Sequence, residues 1–240
     1  MTAARALQVE AVPPLSHADD MASVSRNLNG QRLGRKGRVT RERIIAAAAD
    51  LISQGEGSTI SLSAVARNAS LGMTSVYLYF NDLTEVLLAV LEPVMAEAEQ
   101  AFLERLRSRW PDEALAEHCL GFVRGYHEFW ERNAPILHLR NRLADAHDLR
   151  MLSHRIEATQ PVIGLLAEQM AVNPADEDTA ASAMASMLMT GIERAATVAT
   201  DVVFSRHLAP AGMAVRPARF LMPAARLLEL AIRDHRTSAQ

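Results

Sequence analysis

An all-helical protein is expected from three features of this 240-residue chain. Its apolar set is dominated by alanine, leucine and methionine rather than valine, isoleucine and aromatics, a balance that favours helices over strands. Glycines and prolines are few and mostly fall between periodic segments. Within those segments apolar residues recur at three- and four-residue spacing, the mark of amphipathic helices. With 49% of its residues apolar, the chain has the means to bury a sizeable core in one or two domains.

Residues 1–38 hold a Pro-Pro pair, scattered serine, asparagine and glycine, and no sustained period. They read as a flexible basic arm whose arginine-rich end, residues 32–38, can track phosphates or a minor groove, or can be padding without a partner. Residues 39–85 form the next unit. Thr40 is placed as the N-cap of its first helix, and Ile44, Ile45, Ala48, Leu51 and Ile52 make one apolar stripe that ends at Gly55 and Gly57. Ser61 caps a second helix with the face Leu62, Val65, Ala66 and Ala69. Residues 70–72 make a tight turn into a third helix over 73–79, which directs Val76 and Phe80 inward.

Asn81 or Asp82 caps a long fourth helix reaching about Arg109, with a kink expected at Pro93. Residues 86–240 read as a helical body. Pro111-Asp112-Glu113 opens a helix, with proline in the first turn and acids at the positive end of the dipole, and Asn133-Ala134-Pro135 is expected to break it. Shorter pieces are expected over 136–146 and a helix over 149–170, with Pro161 as a kink. An Ala- and Met-rich helix over 175–205 enters through Asn173-Pro174. A loop with Pro210, Gly212 and Pro217 leads to a last helix over 218–236.

The formal net charge of -3 is unevenly spread. Residues 26–80 hold eight basic residues against three acidic ones, whereas residues 81–240 hold 16 against 22. A basic N-terminal segment on an acidic body suits a local polyanion-binding face, and equally a solvated arginine-rich tail. Residues 61–80 read as two short helices around a tight turn, the plan of a helix-turn-helix whose second helix enters a DNA major groove. With Val76 and Phe80 used for packing, Met73, Thr74, Ser75, Tyr77 and Leu78 remain for base edges and phosphates. No Arg, Asn or Gln stands in that helix, so specificity is expected to lean on DNA shape or on the arginine-rich arm. Thr40 and Ser61, each at an expected helix start, are candidates for phosphate contact through free backbone N–H groups, beside their capping role.

Other chemistries are poorly supported. Cys119 is the only cysteine, so no intrachain disulfide is possible. His147 and His154 lie seven apart with no Cys or convergent carboxylate at metal-ligand spacing, and no metal or cofactor is expected. No glycine-rich phosphate loop or nucleophile elbow occurs, and the chain is not expected to be an enzyme. Residues 1–29 are polar and mixed rather than basic then apolar, and no apolar run approaches the ~20 residues of a membrane span. A cytoplasmic protein without membrane contact is expected.

Residues 40–89 resemble the DNA-binding domain of the TetR family of bacterial transcriptional regulators. The resemblance is carried by Arg41-Glu42, Ile44-Ile45 and Ala46-Ala47-Ala48 in the first helix and by Leu62, Val65-Ala66-Arg67 and Ala69 in the second. Val76-Tyr77-Leu78-Tyr79-Phe80 carry it in the third, and Leu87 and Leu88 in the fourth. Three positions depart from the family pattern: Ser70 where glycine is usual, Gly72 where Ser or Thr often opens the recognition helix, and Leu83 where a phosphate-binding lysine is common. Arg67 and the arm are available to compensate for that missing lysine.

The resemblance implies a homodimer on a near-palindromic double-stranded DNA operator, with hydroxyl-to-phosphate bonds from Tyr77 and Tyr79, and release of DNA by a small-molecule effector. For Tyr77 and Tyr79 core packing is the alternative role. The resemblance also implies a pocket in the body. Phe122, Tyr126 and Phe129, with Trp130 beside them, are candidates for its lining, as are Met151, Met184 and Met187, with plain core filling the alternative. Its ligand is expected to be largely apolar. The last two long helices are expected to form the dimer contact through Ala183, Ser186, Thr190, Ala195 and Ala199 and through the stripe Phe220, Leu221, Ala224, Leu227, Leu228 and Ala231. An all-helical enzyme or small-molecule carrier, and a DNA binder with no ligand, are the competing readings.

Overall fold

The computed structural model describes residues 33–55, 60–171, 179–204 and 218–238. Most of the expected arm, Gly57, the entry at Asn173-Pro174 and the loop containing Pro210, Gly212 and Pro217 lie outside the described residues. Every regular element among the described residues is a helix, as expected. In chain order these are α1 (Arg35–Ser53), α2 (Leu62–Asn68), α3 (Met73–Val76), α4 (Leu83–Ala98), α5 (Leu115–Asp145), α6 (Leu149–Met170), α7 (Thr179–Thr200) and α8 (Ala218–Ser238).

The N-terminal head is α1 packed on α2 and α4, with α3 held against α2. Ile44, Ala48, Val65, Ala66, Val76, Phe80 and Leu87 share its core. Asn68 ties the head further by donating from Nδ2 to the Ala47 carbonyl at 2.9 Å, which joins α2 to α1. In the body, α5 is the central rod, packed against α6, α7 and α8.

Helix α1 starts earlier than the sequence pattern indicates. Gly34 is its N-cap, so residues 35–38 form the first turn of a helix and not the end of an arm. Thr40 is inside α1, where its hydroxyl donates to the Lys36 carbonyl at 2.9 Å. The early start has a tertiary cause: buried Leu33 folds back over Gly37, where an added Cβ would come within 2.9 Å of it and 3.7 Å of the Tyr79 hydroxyl.

Pro93 and Pro135 both lie inside helices, and only the break expected at Pro135 is contradicted. Pro93 lies inside α4, and the winding changes later, in the π-helical turn Glu99–Leu103 followed by the 3-10 turn Glu104–Leu106. Gly125 of α5 faces that turn so closely that a Cβ there would stand 2.5 Å from the Ala101 carbonyl oxygen. Pro135 does not end α5, which runs unbroken to Asp145. The proline is exposed, while Ile136, Leu137 and Leu139 beyond it are buried, so packing outweighs the one lost backbone bond.

The turn between α2 and α3 is a Schellman arrangement. Leu71 N–H donates to the Ala66 carbonyl at 2.9 Å, Ser70 N–H to the Arg67 carbonyl at 3.0 Å, and Ser70 takes φ +53°. Only glycine occupies that region without cost, and a side chain there loses roughly 1 kcal/mol. Ser70→Gly is expected to stabilise the protein by up to about 0.6 kcal/mol after the extra freedom of the unfolded glycine is subtracted, raising Tm by at most roughly 2 °C. A calorimetric scan showing a lower Tm would contradict this.

Candidate nucleic-acid interface and the body cavities

Ser61 opens α2 in extended conformation and accepts from Ala64 N–H at 3.2 Å, so one orphan donor of that helix is already satisfied by its own cap. The following turn delivers α3, which is only four residues long and is continued by turns through Tyr79. Its orientation is set by Val76 and Phe80, both fully buried, each worth about 1.5–3 kcal/mol on burial. Arg41 of α1 lies over the Phe80 ring at 5.2 Å, which holds the end of this segment against α1.

With those anchors fixed, Thr74, Tyr77 and Leu78 fall at i, i+3 and i+4 and share one outer face. Tyr77 is 51% and Leu78 39% exposed, so both side chains are free to meet a partner. Met73, Ser75 and Tyr79 are half-buried at the edges of that face. Arg35, Lys36, Arg38 and Arg43 on α1 and Arg67 on α2 are exposed and supply positive charge on the head. Thr40, half-buried inside α1 with its hydroxyl turned back onto Lys36, offers no helix N-terminus to a phosphate, which corrects that assignment.

The head meets the body through two interlocked helix starts. Asp82 caps α4 by accepting from Glu85 N–H at 2.9 Å, and the same carboxylate pairs with Arg150 of α6 at 2.8 Å. Asp148 caps α6 by accepting from Arg150 and Met151 N–H, and also accepts the Thr84 hydroxyl of α4 at 2.6 Å. The Arg150 guanidinium holds Asp82 below its ordinary carboxylate pKa against the opposing effect of burial. Hydrogen bonds from Thr84 and two backbone amides do the same for Asp148.

Inside the body, Phe122, Tyr126 and Phe129 pack edge-on around Phe102, at ring separations of 6.2, 5.0 and 5.4 Å. Phe122 and Met151 are fully buried core residues and line neither of two small spaces. One space, about 10 Å³, lies among Val123, Tyr126, His127, Ile192, Phe220 and Leu221. The other, about 20 Å³, is walled by Tyr126, Phe129, Trp130, Met95, Arg140 and Arg155 among others. Tyr126 separates the two. Met184 and Met187, expected at a pocket, are 39% and 72% exposed, because α7 buries the opposite face, Ala181, Ala185, Met189, Ile192 and Ala196.

Several residues here were not visible from sequence patterns. Arg140 is a buried arginine that follows buried Ile136, Leu137 and Leu139 on α5. Its Nε donates to Asn141 at 3.0 Å, and its Nη2 stands 3.8 Å from Glu193 of α7. Glu193 also accepts from Asn141 Nδ2 at 3.1 Å and pairs with Arg155 Nε at 3.4 Å. Burial pulls the Arg140 pKa down and Glu193 opposes it. His154 is pushed down to about 4, first by burial and then by the charge of Arg140, so it is neutral at physiological pH. His127 Nε2 and His154 Nδ1 are buried without a hydrogen-bond partner.

Among the described residues no helix is long and apolar enough to cross a membrane. No family model matches the chain, and no curated protein matches it. Among solved structures, a TetR-like transcriptional regulator from Rhodococcus sp. RHA1 is similar at 18% identity, with a TM-score of 0.52, over 85% of this chain and 97% of that one. The resemblance read from residues 40–89 thus extends to the arrangement of helices over most of the chain: this protein has the all-helical fold of a TetR-like regulator, a helix-turn-helix head on a helical body.

Proposed function

We propose that this protein is a dimeric, cytoplasmic DNA-binding transcriptional regulator, most simply a repressor, released from a near-palindromic operator by a small ligand. The observation that carries the reading is the outward face of Thr74, Tyr77 and Leu78 on a segment anchored by buried Val76 and Phe80, beside the exposed basic residues of α1 and α2. A short helix offered in this way suits a major groove, and the basic flank suits phosphates. In this reading Met73, Ser75 and Tyr79 border the contact and Arg67 holds backbone.

Two copies are needed to present two such helices one DNA turn apart. The outer faces of α7 and α8 support that pairing. Met187, Met222, Leu227 and Leu230 are exposed there, with small Ala183 and Thr190 among them. Ligand entering around Tyr126 would reach the head through α6, whose first turn holds α4 by the Asp82–Arg150 and Thr84–Asp148 contacts. It acts by binding one arrangement of those helices better than the other.

A gel-shift assay with the protein's own upstream DNA at stated salt tests the reading. Tyr77→Phe removes only a hydroxyl and is expected to weaken binding roughly 10- to 150-fold, the worth of one hydrogen bond to a charged group. Equal affinity of both proteins at matched salt would remove Tyr77 as a phosphate contact. The smallness of the two interior spaces favours a second reading, a DNA binder with no ligand. A thermal-shift screen separates the two, because a ligand that binds only the native state raises Tm.

A further inference from the structure

We infer that the half-site spacing this protein accepts is set away from the DNA, by a polar latch between α4 and α6 made of Thr84 with Asp148 and Asp82 with Arg150. The inference rests on the reading of the chain as a dimeric DNA binder, and it names positioning residues that fix how far apart the two heads stand.

The head reaches DNA at the end of a lever. Helix α4 begins three residues after Phe80, the inner anchor of the DNA-facing segment, so the two move together. Its 16 residues span about 24 Å. At the far end lies the π turn Glu99–Leu103, where Gly125 of α5 has no side chain to block the Ala101 carbonyl. Such turns are where helices bend. A pivot of about 4° there moves the start of α4 by about 1.7 Å. One base pair advances a half-site by about 3.4 Å, so two heads pivoting by that amount would cover it. The accompanying turn of about 35° around the DNA axis would still have to be met.

The latch opposes that pivot. Asp148 Oδ2 accepts the Thr84 hydroxyl at 2.6 Å, and Arg150 donates to Asp82 at 2.8 Å. Drawing the partners apart by about 1.7 Å takes both contacts beyond hydrogen-bond range. The two halves are unequal. Asp82 and Arg150 are about half exposed, and such a pair contributes little. Thr84 is 9% exposed and its hydroxyl meets a carboxylate, which makes it the stronger half. Asp148 cannot follow a moving Thr84, because its Oδ1 caps α6 through the Arg150 and Met151 N–H groups. Its backbone is fixed as well, by a Schellman turn at the end of α5. There His147 takes φ +67°, its N–H donates to the Ala144 carbonyl, and Asp148 N–H donates to the Leu143 carbonyl, both at 3.0 Å.

In the test, the full chain selects its preferred duplex from a random-sequence pool. Fluorescence anisotropy is then read on that duplex and on versions with one base pair added to or removed from its centre. The native protein is expected to lose about 30-fold or more in affinity on either change, comparable to a mismatched base pair. Thr84→Val is expected to shrink that loss at least about threefold, the worth of one hydrogen bond. Its salt slope on the selected duplex should stay native, because no phosphate contact is removed. T84S keeps a hydroxyl and should restore native discrimination. If T84V melts below the assay temperature, R150Q, on the exposed half of the latch, is expected to shrink the loss about twofold. A native protein indifferent to spacing, or a folded T84V that discriminates as well as native, overturns the latch and leaves the DNA-binding reading standing. A T84V salt slope that departs from native also overturns it, since Thr84 would then act at a phosphate. Failure of the native chain to enrich any duplex overturns both.

Discussion

Arg38→Glu combined with Arg67→Glu is expected to lower operator affinity on the order of 100-fold near 0.1 M salt and to flatten its salt dependence. Both side chains are exposed on the head, one on α1 and one on α2 flanking the turn that delivers α3. Neither belongs to the head core of Ile44, Val65, Val76 and Phe80, so the fold should survive. For every phosphate left without its cation, the slope of log affinity against log salt falls by about 0.9 on duplex DNA. Reversing the charge adds repulsion to that effect. Fluorescence anisotropy on a labelled operator across a salt series reads both quantities, and a circular dichroism melt confirms folding. An unchanged slope in a folded double variant would place the DNA-facing surface elsewhere.

Gln169→Leu is expected to cost about 2–4 kcal/mol of stability and lower Tm by roughly 5–15 °C, the largest effect of any single substitution considered for the body. Gln169 is 2% exposed at the end of α6. Its Oε1 accepts from Trp110 N–H at 2.9 Å, and its Nε2 donates to the carbonyls of Leu106 and Ser108, both at 2.9 Å. One side chain thus satisfies three backbone groups of the irregular segment between α4 and α5. Arg236 of α8 completes the junction by donating to the carbonyls of Gln169 and Trp110 and to the Asp112 carboxylate. Leucine fills the volume but leaves those backbone groups buried and unpaired, where each missing partner costs about 1–3 kcal/mol. A denaturant melt within about 0.5 kcal/mol of native would show that water replaces the glutamine without penalty.

The head was legible because its signals are local. Ser61 caps α2, glycine ends α1, and the inward pair Val76 and Phe80 stands at helical spacing, all within a few residues of what they control. The start of α1 was not, because Arg35 to Val39 carry no apolar period and their helix depends on Leu33 and Tyr79 closing over Gly37. Pro135 misled for the converse reason: a local helix breaker is overruled by buried side chains on either side. The change of winding after Ala98 has no local code at all and answers to Gly125 in another helix. The interior charges were hidden by chemistry, since arginine ordinarily lies at the surface and nothing in the pattern around Arg140 marks it as enclosed.

Arg150, which grips the start of α4, and Arg155, which grips Glu193, stand five residues apart on one unbroken helix. At the rise of an α-helix that is about 7.5 Å of continuous hydrogen-bonded backbone. Over so short a length the helix behaves as a tie-rod with no slack. A tug on its inner grip is delivered to its outer grip as whole-body displacement, and no intervening hinge is available to absorb it.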